Sequence, residues 1–305
     1  MNTDRQPHQI NRRHAEPHRA DQHAAARLGT VLAVWAHPDD ESFVAGGLLA
    51  AASDAGSRIV CLTATRGERG SDDAERWHPD RLGRTRSREL AAAQAIIGIH
   101  EQRWLPFEDG ECHAVSPGRG MGLVASVIDD VCPDTIVTFG PDGLTGHTDH
   151  QAVSRWTSHA WAARRTSARL LWAAITSDTQ RRMWEAEPIA KAFYPGYPEV
   201  ASERSVAIQL DLTGDMLDRK FSAIRAHATQ SATLVHRLGE EQYRQWWSTE
   251  SYIDVGAGAA DSSSSPRHRQ HVPGRRQTRL HPPHVRTTRR SSPVDGRRPS
   301  ARPAK

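Results

Sequence analysis

Apolar residues along the chain fall into short continuous runs separated by amphipathic stretches. Thr30 to Ala36 is one such run, the pattern of a strand covered on both faces. After a polar turn, Phe43 to Ala55 reads as a helix, and its Gly46-Gly47 pair, poor in helix propensity, points to close packing. A second strand is predicted over Arg58–Thr65, a polar loop over Arg66–Asp80, and a helix over Leu82–Ile97 that stops at Gly98. Trp104-Leu105 ends a short third strand, and Val124–Val131 continues a helix up to Pro133. Thr135–Phe139 is a strand closed by Gly140-Pro141, Asp149–Ala163 a helix, Leu170–Thr176 and Val206–Leu210 strands, and Asp215–Ala228 a closing helix. This alternation predicts an α/β fold of three layers, α/β/α and Rossmann-like, with a mostly parallel sheet.

The ends break the pattern. Residues 1–27 are polar and rich in His and Arg, without the apolar core of a secretion signal, and are expected to form a disordered arm. Residues 256–305 consist largely of Ser, Pro, Arg and His with no periodicity and are expected to be a disordered basic tail. The folded domain is then 28–255. A chain that is only 37% hydrophobic, with a mean hydropathy of -0.65, fits this division. The tail holds twelve Lys and Arg against Asp261 and Asp295, so with +4 on the whole chain residues 1–255 carry a net −6. The pI of about 9.2 therefore describes the tail, and nucleic-acid binding by the folded domain is not expected. The tail reads either as an electrostatic tether for anionic partners or as a non-functional extension. Cys61, Cys112 and Cys132 form no framework, which suggests a reducing, cytoplasmic setting. No stretch reaches the ~18 apolar residues of a membrane span.

Two clusters carry chemistry. Ala36-His37-Pro38-Asp39-Asp40-Glu41 follows the first strand, and Gly146-His147-Thr148-Asp149-His150 follows the Thr135–Phe139 strand. In an open parallel sheet, sites lie beyond the carboxyl ends of strands. A catalytic zinc takes three protein ligands and keeps one open position. His37 at the strand end and Asp40 in the first helical turn can face one point, and His150 from the second loop completes a triad. Asp39, beside that point, is suited to deprotonate an attacking water. His147 can donate to an oxyanion or protonate a leaving amine. Plainer readings stand beside these. Asp39, Asp40 and Glu41 are also good helix-start residues, and Asp149 is either an N-cap or a partner that orients a ligand histidine. Two His/Asp clusters at two strand ends are hard to explain as independent caps.

The sequence resembles the PIG-L/LmbE-like family of N-acetylglucosaminyl deacetylases. The two clusters carry the resemblance, with Thr65-Arg66-Gly67-Glu68-Arg69-Gly70, Arg86-Ser87-Arg88-Glu89-Leu90, Phe107-Glu108-Asp109-Gly110, Lys220 and His227-Ala228-Thr229-Gln230 in support. The matches span residues 30–230. The resemblance implies one zinc per chain on His37, Asp40 and His150, Asp39 as general base and His147 as stabiliser or acid. It implies Arg86 and Asp109 as substrate contacts, although Arg86 also reads as a helix-surface charge and Asp109-Gly110 as a turn. Glu41 and Asp149 are expected to support the ligands from behind. The implied activity is removal of the acetyl group from an N-acetylated amino sugar or its conjugate. The same site could serve an amidase acting on a thiol conjugate or another N-acyl compound, or survive in an inactive binding protein. The expected partner is a small amino-sugar substrate, and a homo-oligomer is compatible with the sequence. Two departures stand out. Thr145 occupies a position where some mycothiol-pathway relatives carry a tyrosine, and the region after Thr176 fits the family weakly.

Overall fold

The computed structural model describes residues 27–71, 73, 75–184 and 193–257. The arm and tail expected at the two termini fall almost entirely on residues 1–26 and 258–305, outside the described residues.

The first strand, β1 (Val31–Trp35), is buried at every position, as a continuous apolar run demands. Helix α1 (Asp40–Asp54) begins three residues before the predicted Phe43, because the acidic motif itself makes its first turn. Next come β2 (Ile59–Thr63), α2 (Pro79–Ile97), β3 (Glu101–Trp104) and α3 (Pro117–Val131). Gly98 ends α2 with φ 96°, a left-handed conformation that glycine adopts without strain. The second half runs β4 (Thr135–Phe139), α4 (Thr148–Arg164), β5 (Arg169–Thr176), α5 (Ser177–Trp184), β6 (Val200–Ala201), β7 (Ile208–Asp211), α6 (Gly214–Ala226), α7 (Ala228–Leu238), α8 (Glu240–Trp246) and β8 (Thr249–Asp254).

The strands form one sheet in the order β3-β2-β1-β4-β5-β8-β7, with β6 beside the end of β5. The five strands from β3 to β5 run parallel, whereas β8 lies antiparallel between β5 and β7. The sheet is therefore mixed and mostly parallel, with the antiparallel part supplied by the strand after α8. Helices α1, α2 and α6 pack together in one layer, and α3 packs with α4 in another. Trp35 of β1 and Phe139 of β4 meet edge to face at 5.0 Å in the core. Burying an apolar side chain of this size contributes roughly 1.5–3 kcal/mol.

Chain order leaves β1 toward β2 on one side and resumes with β4 on the other. Val31 pairs with Thr135 and Ala33 with Val137, so β1 and β4 are immediate neighbours across this reversal. The loops leaving their carboxyl ends diverge and leave a crevice, the place where open α/β sheets bind ligands. Both chemical clusters of the sequence emerge there.

Candidate active site

The first cluster is held by its own backbone. Asp40 Oδ2 accepts from the N–H groups of His37 (2.7 Å) and Ala36 (3.2 Å), which closes the turn between β1 and α1. Its Oδ1 lies 3.4 Å from His150 Nε2, and His37 Nδ1 lies 3.2 Å from that same nitrogen and 3.7 Å from Asp40 Oδ2. Bonds of 2.0–2.1 Å in a tetrahedral site put neighbouring ligand atoms roughly 3.3–3.4 Å apart. His37 Nδ1, His150 Nε2 and the Asp40 carboxylate, which turns Oδ2 to the first and Oδ1 to the second, thus form a triangle close to the dimensions of a zinc site.

The remaining nitrogen of each histidine is engaged from behind. His37 Nε2 donates toward Asp109 Oδ1 at 3.0 Å and Asp149 Oδ2 at 3.3 Å. His150 Nδ1 donates to the Gly143 carbonyl at 3.0 Å, and its ring stacks on Phe139 at a centroid distance of 4.1 Å. These contacts turn the lone pairs of His37 Nδ1 and His150 Nε2 into the triangle, the usual outer support of a metal-bound histidine. Asp149 does this work instead of capping α4: the N-cap is His147, whose Nδ1 accepts from Asp149 N. The Asp149 carboxylate is itself fixed by the N–H groups of Gly110 (2.7 Å) and Cys112 (3.0 Å). Two other triples, His37/His147/His150 and His37/Asp109/Asp149, have ligand-capable atoms within 4.8 Å of one another. In the first, His147 Nδ1 is already occupied by Asp149 N; in the second, both carboxylates face the supporting nitrogen of His37.

The electrostatics are those of a cation-binding pocket. Burial depresses the His37 imidazole, but hydrogen bonds to Asp109 and Asp149 and the charge of Asp40 outweigh it and hold its pKa up at about 10. His150 lacks that compensation: burial and the charge of His37 push it down to about 3. Burial raises Asp40 to about 6 against the pull of His37. Burial likewise raises Asp39 to about 7, opposed by the Arg86 guanidinium and reinforced by Asp40. Asp109 is held low because its hydrogen bond to His37 and the charges around it overcome the cost of burial. A negative pocket that keeps a histidine charged is one in which a divalent ion has a favourable seat.

Asp39 occupies the N-cap position of α1, yet its side chain makes no capping hydrogen bond. Its backbone has φ 115° and ψ −29°, a region costly for a non-glycine residue by about 1–3 kcal/mol. The side chain lies instead against Arg86, whose Nη2 donates to Asp39 Oδ2 (3.1 Å) and to the Pro38 carbonyl (2.6 Å). Arg86 Nη1 donates to the Gly67 carbonyl, and the whole residue is buried. Of the two expected substrate contacts, Arg86 is thus joined to the loops that carry the site, and Asp109 to His37 and Arg69 N. Glu41 sits beneath Asp39 and accepts from its N–H; its other oxygen meets Ser42 and His227.

His147 packs edge to face on His37 at 4.9 Å. With Nδ1 accepting from Asp149 N, its Nε2 carries the hydrogen and is the free donor. Burial and the neighbouring His37 and His150 push its pKa down to about 3, which keeps it neutral.

Several further side chains border the site. Thr145 Oγ1 lies 3.4 Å from His150 Nδ1. Tyr194, one of the exposed large apolar side chains among the described residues, reaches over from the segment before β6, its ring 6.0 Å from that of His147. Tyr197 covers Gly146, where φ is 81° and a Cβ would stand 2.3 Å from the ring. No motif marks that segment. Glu68 links the site to its surroundings: Oε1 accepts from Asp109 N, and the side chain lines a cleft of about 660 Å3 shared with Arg66, Asp80, Arg84, Arg88 and Glu108.

The chain is similar to known proteins. The model of the family described as PIG-L, GlcNAc-PI de-N-acetylase, matches residues 32–161. A 1D-myo-inositol 2-acetamido-2-deoxy-alpha-D-glucopyranoside deacetylase of Kineococcus radiotolerans is 30% identical over 275 residues, covering 73% of this chain and 76% of the relative. The protein of the same name from Nakamurella multipartita is 32% identical over 235 residues, covering 66% and 79%. Among solved structures, the zinc inhibited form of a teicoplanin deacetylase shares the fold with a TM-score of 0.54 at 18% identity, over 77% of this chain and 100% of that one. A conserved protein of Thermus thermophilus does so with a TM-score of 0.51 at 22% identity, over 75% and 95%. From its sequence, its fold and the motifs at the β1 and β4 ends, the chain belongs to the PIG-L family of de-N-acetylases, hydrolases that act on amides.

Proposed function

We propose that the chain is a zinc-dependent hydrolase that removes the acetyl group from an N-acetylglucosamine-type amino sugar or its conjugate. One observation carries the reading: His37 Nδ1, the Asp40 carboxylate and His150 Nε2 form a triangle with edges of 3.2–3.7 Å, and Asp39 stands beside it. A zinc ion held by His37, Asp40 and His150 would supply Lewis acidity to the acetamide carbonyl and to an attacking water.

The chain's own residues do the rest. Asp39 accepts the proton of the water as its oxygen adds to the carbonyl carbon, and Arg86 holds the receiving carboxylate in place. His147 Nε2–H donates to the oxygen that gains charge, and Asp149 N–H keeps that tautomer by occupying Nδ1. The carbon–nitrogen bond then breaks, and Asp39 passes its proton to the departing amine, which leaves acetate and the free amino sugar. Asp109 and Arg86 are assigned to the sugar hydroxyls nearest the acetamide. The cleft beyond Glu68, lined by charged side chains, suits a hydroxyl-rich extension of the sugar such as a linked inositol. The cysteines Cys61, Cys112 and Cys132 are free, in keeping with a cytoplasmic enzyme; no helix among the described residues is long and apolar enough to cross a membrane.

Asp39 and Asp40 are adjacent and chemically identical, which makes them the sharpest test. Asp39→Asn is expected to keep about one zinc per chain and lose roughly 10²–10⁴ in turnover, with little change in KM. Asp40→Ala and His150→Ala are expected to lose zinc. The measurements are zinc stoichiometry and acetate release from a panel of N-acetylated sugars. Near-parent turnover in Asp39→Asn, or parent zinc content in His150→Ala, would overturn the assignment.

A further inference from the structure

Behind the site lies a charged pair that the proposed mechanism does not use. Glu41 and His227 are both fully buried, with Glu41 Oε1 2.8 Å from His227 Nε2. His227 stands at the junction of α6 and α7, 186 residues along the chain from Glu41. It takes no part in the triangle of His37, Asp40 and His150. A buried ion pair is a weak source of net stability, so its presence directly beneath a catalytic loop calls for another reason.

The geometry of Asp39 supplies one. A residue at the N-cap of a helix ordinarily has an extended backbone, and an aspartate there accepts from the first N–H groups of the helix. Asp39 does neither: φ is 115° and its carboxylate is turned out of the cap toward Arg86. Two clamps hold it so. Arg86 takes the carboxylate and the preceding carbonyl, of Pro38. On the other side, the Asp39 N–H, which a relaxed N-cap would present differently, donates to Glu41 Oε2 at 3.0 Å. Glu41 can hold that N–H only if its own carboxylate is fixed, and its second oxygen is fixed by Ser42 Oγ at 2.6 Å and by His227. Burial works against a charge on His227, but Glu41 more than restores it and raises its pKa.

We propose that the Glu41–His227 pair is a positioning device for Asp39, locking the backbone of that residue in its left-handed conformation so that its carboxylate faces the reacting water instead of capping α1. The inference rests on the reading of Asp39 as general base. His227 is a positioning residue, acting through Glu41 on Asp39, and touches no substrate. The relaxed alternative for Asp39 is an ordinary N-cap, so loss of the lock should turn the base away without disturbing the metal ligands.

The test is a double-mutant cycle in turnover, run on the zinc-loaded full chain with an N-acetylated amino sugar. His227→Gln is expected to lower kcat at least tenfold, with KM within twofold and zinc content at the parent level. In an Asp39→Asn background the same substitution should change kcat less than twofold, because there is no base left to misplace. A crystal structure of His227→Gln should show Asp39 out of the left-handed region. An equal fall in both backgrounds would mark the pair as merely structural and overturn the proposal, as would parent kcat in His227→Gln. Near-parent turnover in Asp39→Asn alone would instead remove the base assignment, and the positioning proposal with it, so the two failures are told apart. Should His227→Gln not fold, Glu41→Gln removes the charge at nearly constant volume and is judged by the same cycle.

Discussion

Replacing Lys220 by methionine should expose how much of the fold hangs on one buried charge. Lys220 of α6 and Glu250 of β8 have side chains only 1% exposed, with Nζ 2.7 Å from Oε1. Burial pulls the Lys220 pKa down, and Glu250 only partly restores it. Glu250 has other obligations. It accepts from Gly47 N at 2.7 Å, from Leu48 N at 2.8 Å and from Tyr252 OH at 2.9 Å. The β8 carboxylate thus grips the middle of α1, at the Gly46-Gly47 pair, where Lys220 Cγ would stand 3.1 Å from a Cβ on Gly46. Removing one member of a buried ion pair typically costs 3–5 kcal/mol, because the other is left uncompensated. Three surviving hydrogen bonds soften that for Glu250, so Lys220→Met is placed at the lower end, about 3 kcal/mol. For a domain of this size that is a fall of roughly 6–12 °C in Tm. Glu250→Gln should do further harm of its own, since an amide offers one acceptor oxygen where two helix N–H groups are waiting, and an unmet N–H costs about 1–3 kcal/mol. The double variant should therefore recover the charge penalty but not the lost acceptor, leaving a coupling energy of at least about 3 kcal/mol. Thermal and urea unfolding of the four proteins would measure it. A Lys220→Met protein within about 1 kcal/mol of the parent would refute the reasoning, since it would mean that Glu250 needs no cation.

Other expectations follow from the same structure. The His227 pKa is raised in the fold, by Glu41 above all and against the effect of burial, with Asp39 adding to the rise and Arg86 opposing it. Its contribution to stability is therefore complete below the unfolded value near 6.5 and is lost as pH climbs through the raised folded value. The Tm gap between the parent and His227→Gln should be flat in acid and shrink toward alkaline pH, and a gap that widens with pH would contradict the sign. Truncation after Gly256 leaves β8 whole and removes a segment with no apolar pattern. Hydrolysis should be unchanged, and an inactive or insoluble product would show that the tail contributes to the fold.

What could be read from the sequence followed the local physics. β1 was legible because all five of its residues are buried and no alternation blurs the run. The motif from His37 to Glu41 was legible because its chemistry lies within one turn of chain. α3 starts at Pro117, and its sequence marks only the stretch from Val124 on, because Gly118, Gly120 and Gly122 dilute its apolar pattern before that. One of those glycines has a reason to be there: a Cβ on Gly120 would fall 2.2 Å from the Trp156 ring, so its absence lets α3 approach α4. β8 was invisible for the opposite reason. Its Thr249-Glu250-Ser251 start reads as surface, and Lys220, two N–H groups of α1 and the Tyr252 hydroxyl make burial of Glu250 tolerable. Arg86 illustrates a further limit. Among its partners are the carbonyls of Pro38 and Gly67, and a sequence does not show which carbonyls will need a donor.

The site also explains why so many acids can share one crevice. Asp39, Asp40, Asp109 and Asp149 all stand near His37, an arrangement that would drive itself apart if each carboxylate relied on the histidine alone. Each has a separate anchor. Asp40 is held by the N–H groups of Ala36 and His37, Asp149 by those of Gly110 and Cys112, Asp109 by Arg69 N, and Asp39 by Arg86. Most of these donors are backbone groups in the loops beyond β1, β2 and β3, so the sheet that sets those loops side by side also sets the spacing of the charges. In Asp40 the anchor fixes one oxygen and leaves the other to the crevice: Oδ2 closes the turn while Oδ1 faces His150. The acidic pocket is therefore a property of the parallel half of the fold. The antiparallel strands at the far edge contribute to it only from beneath, through the grip of Glu250 on α1.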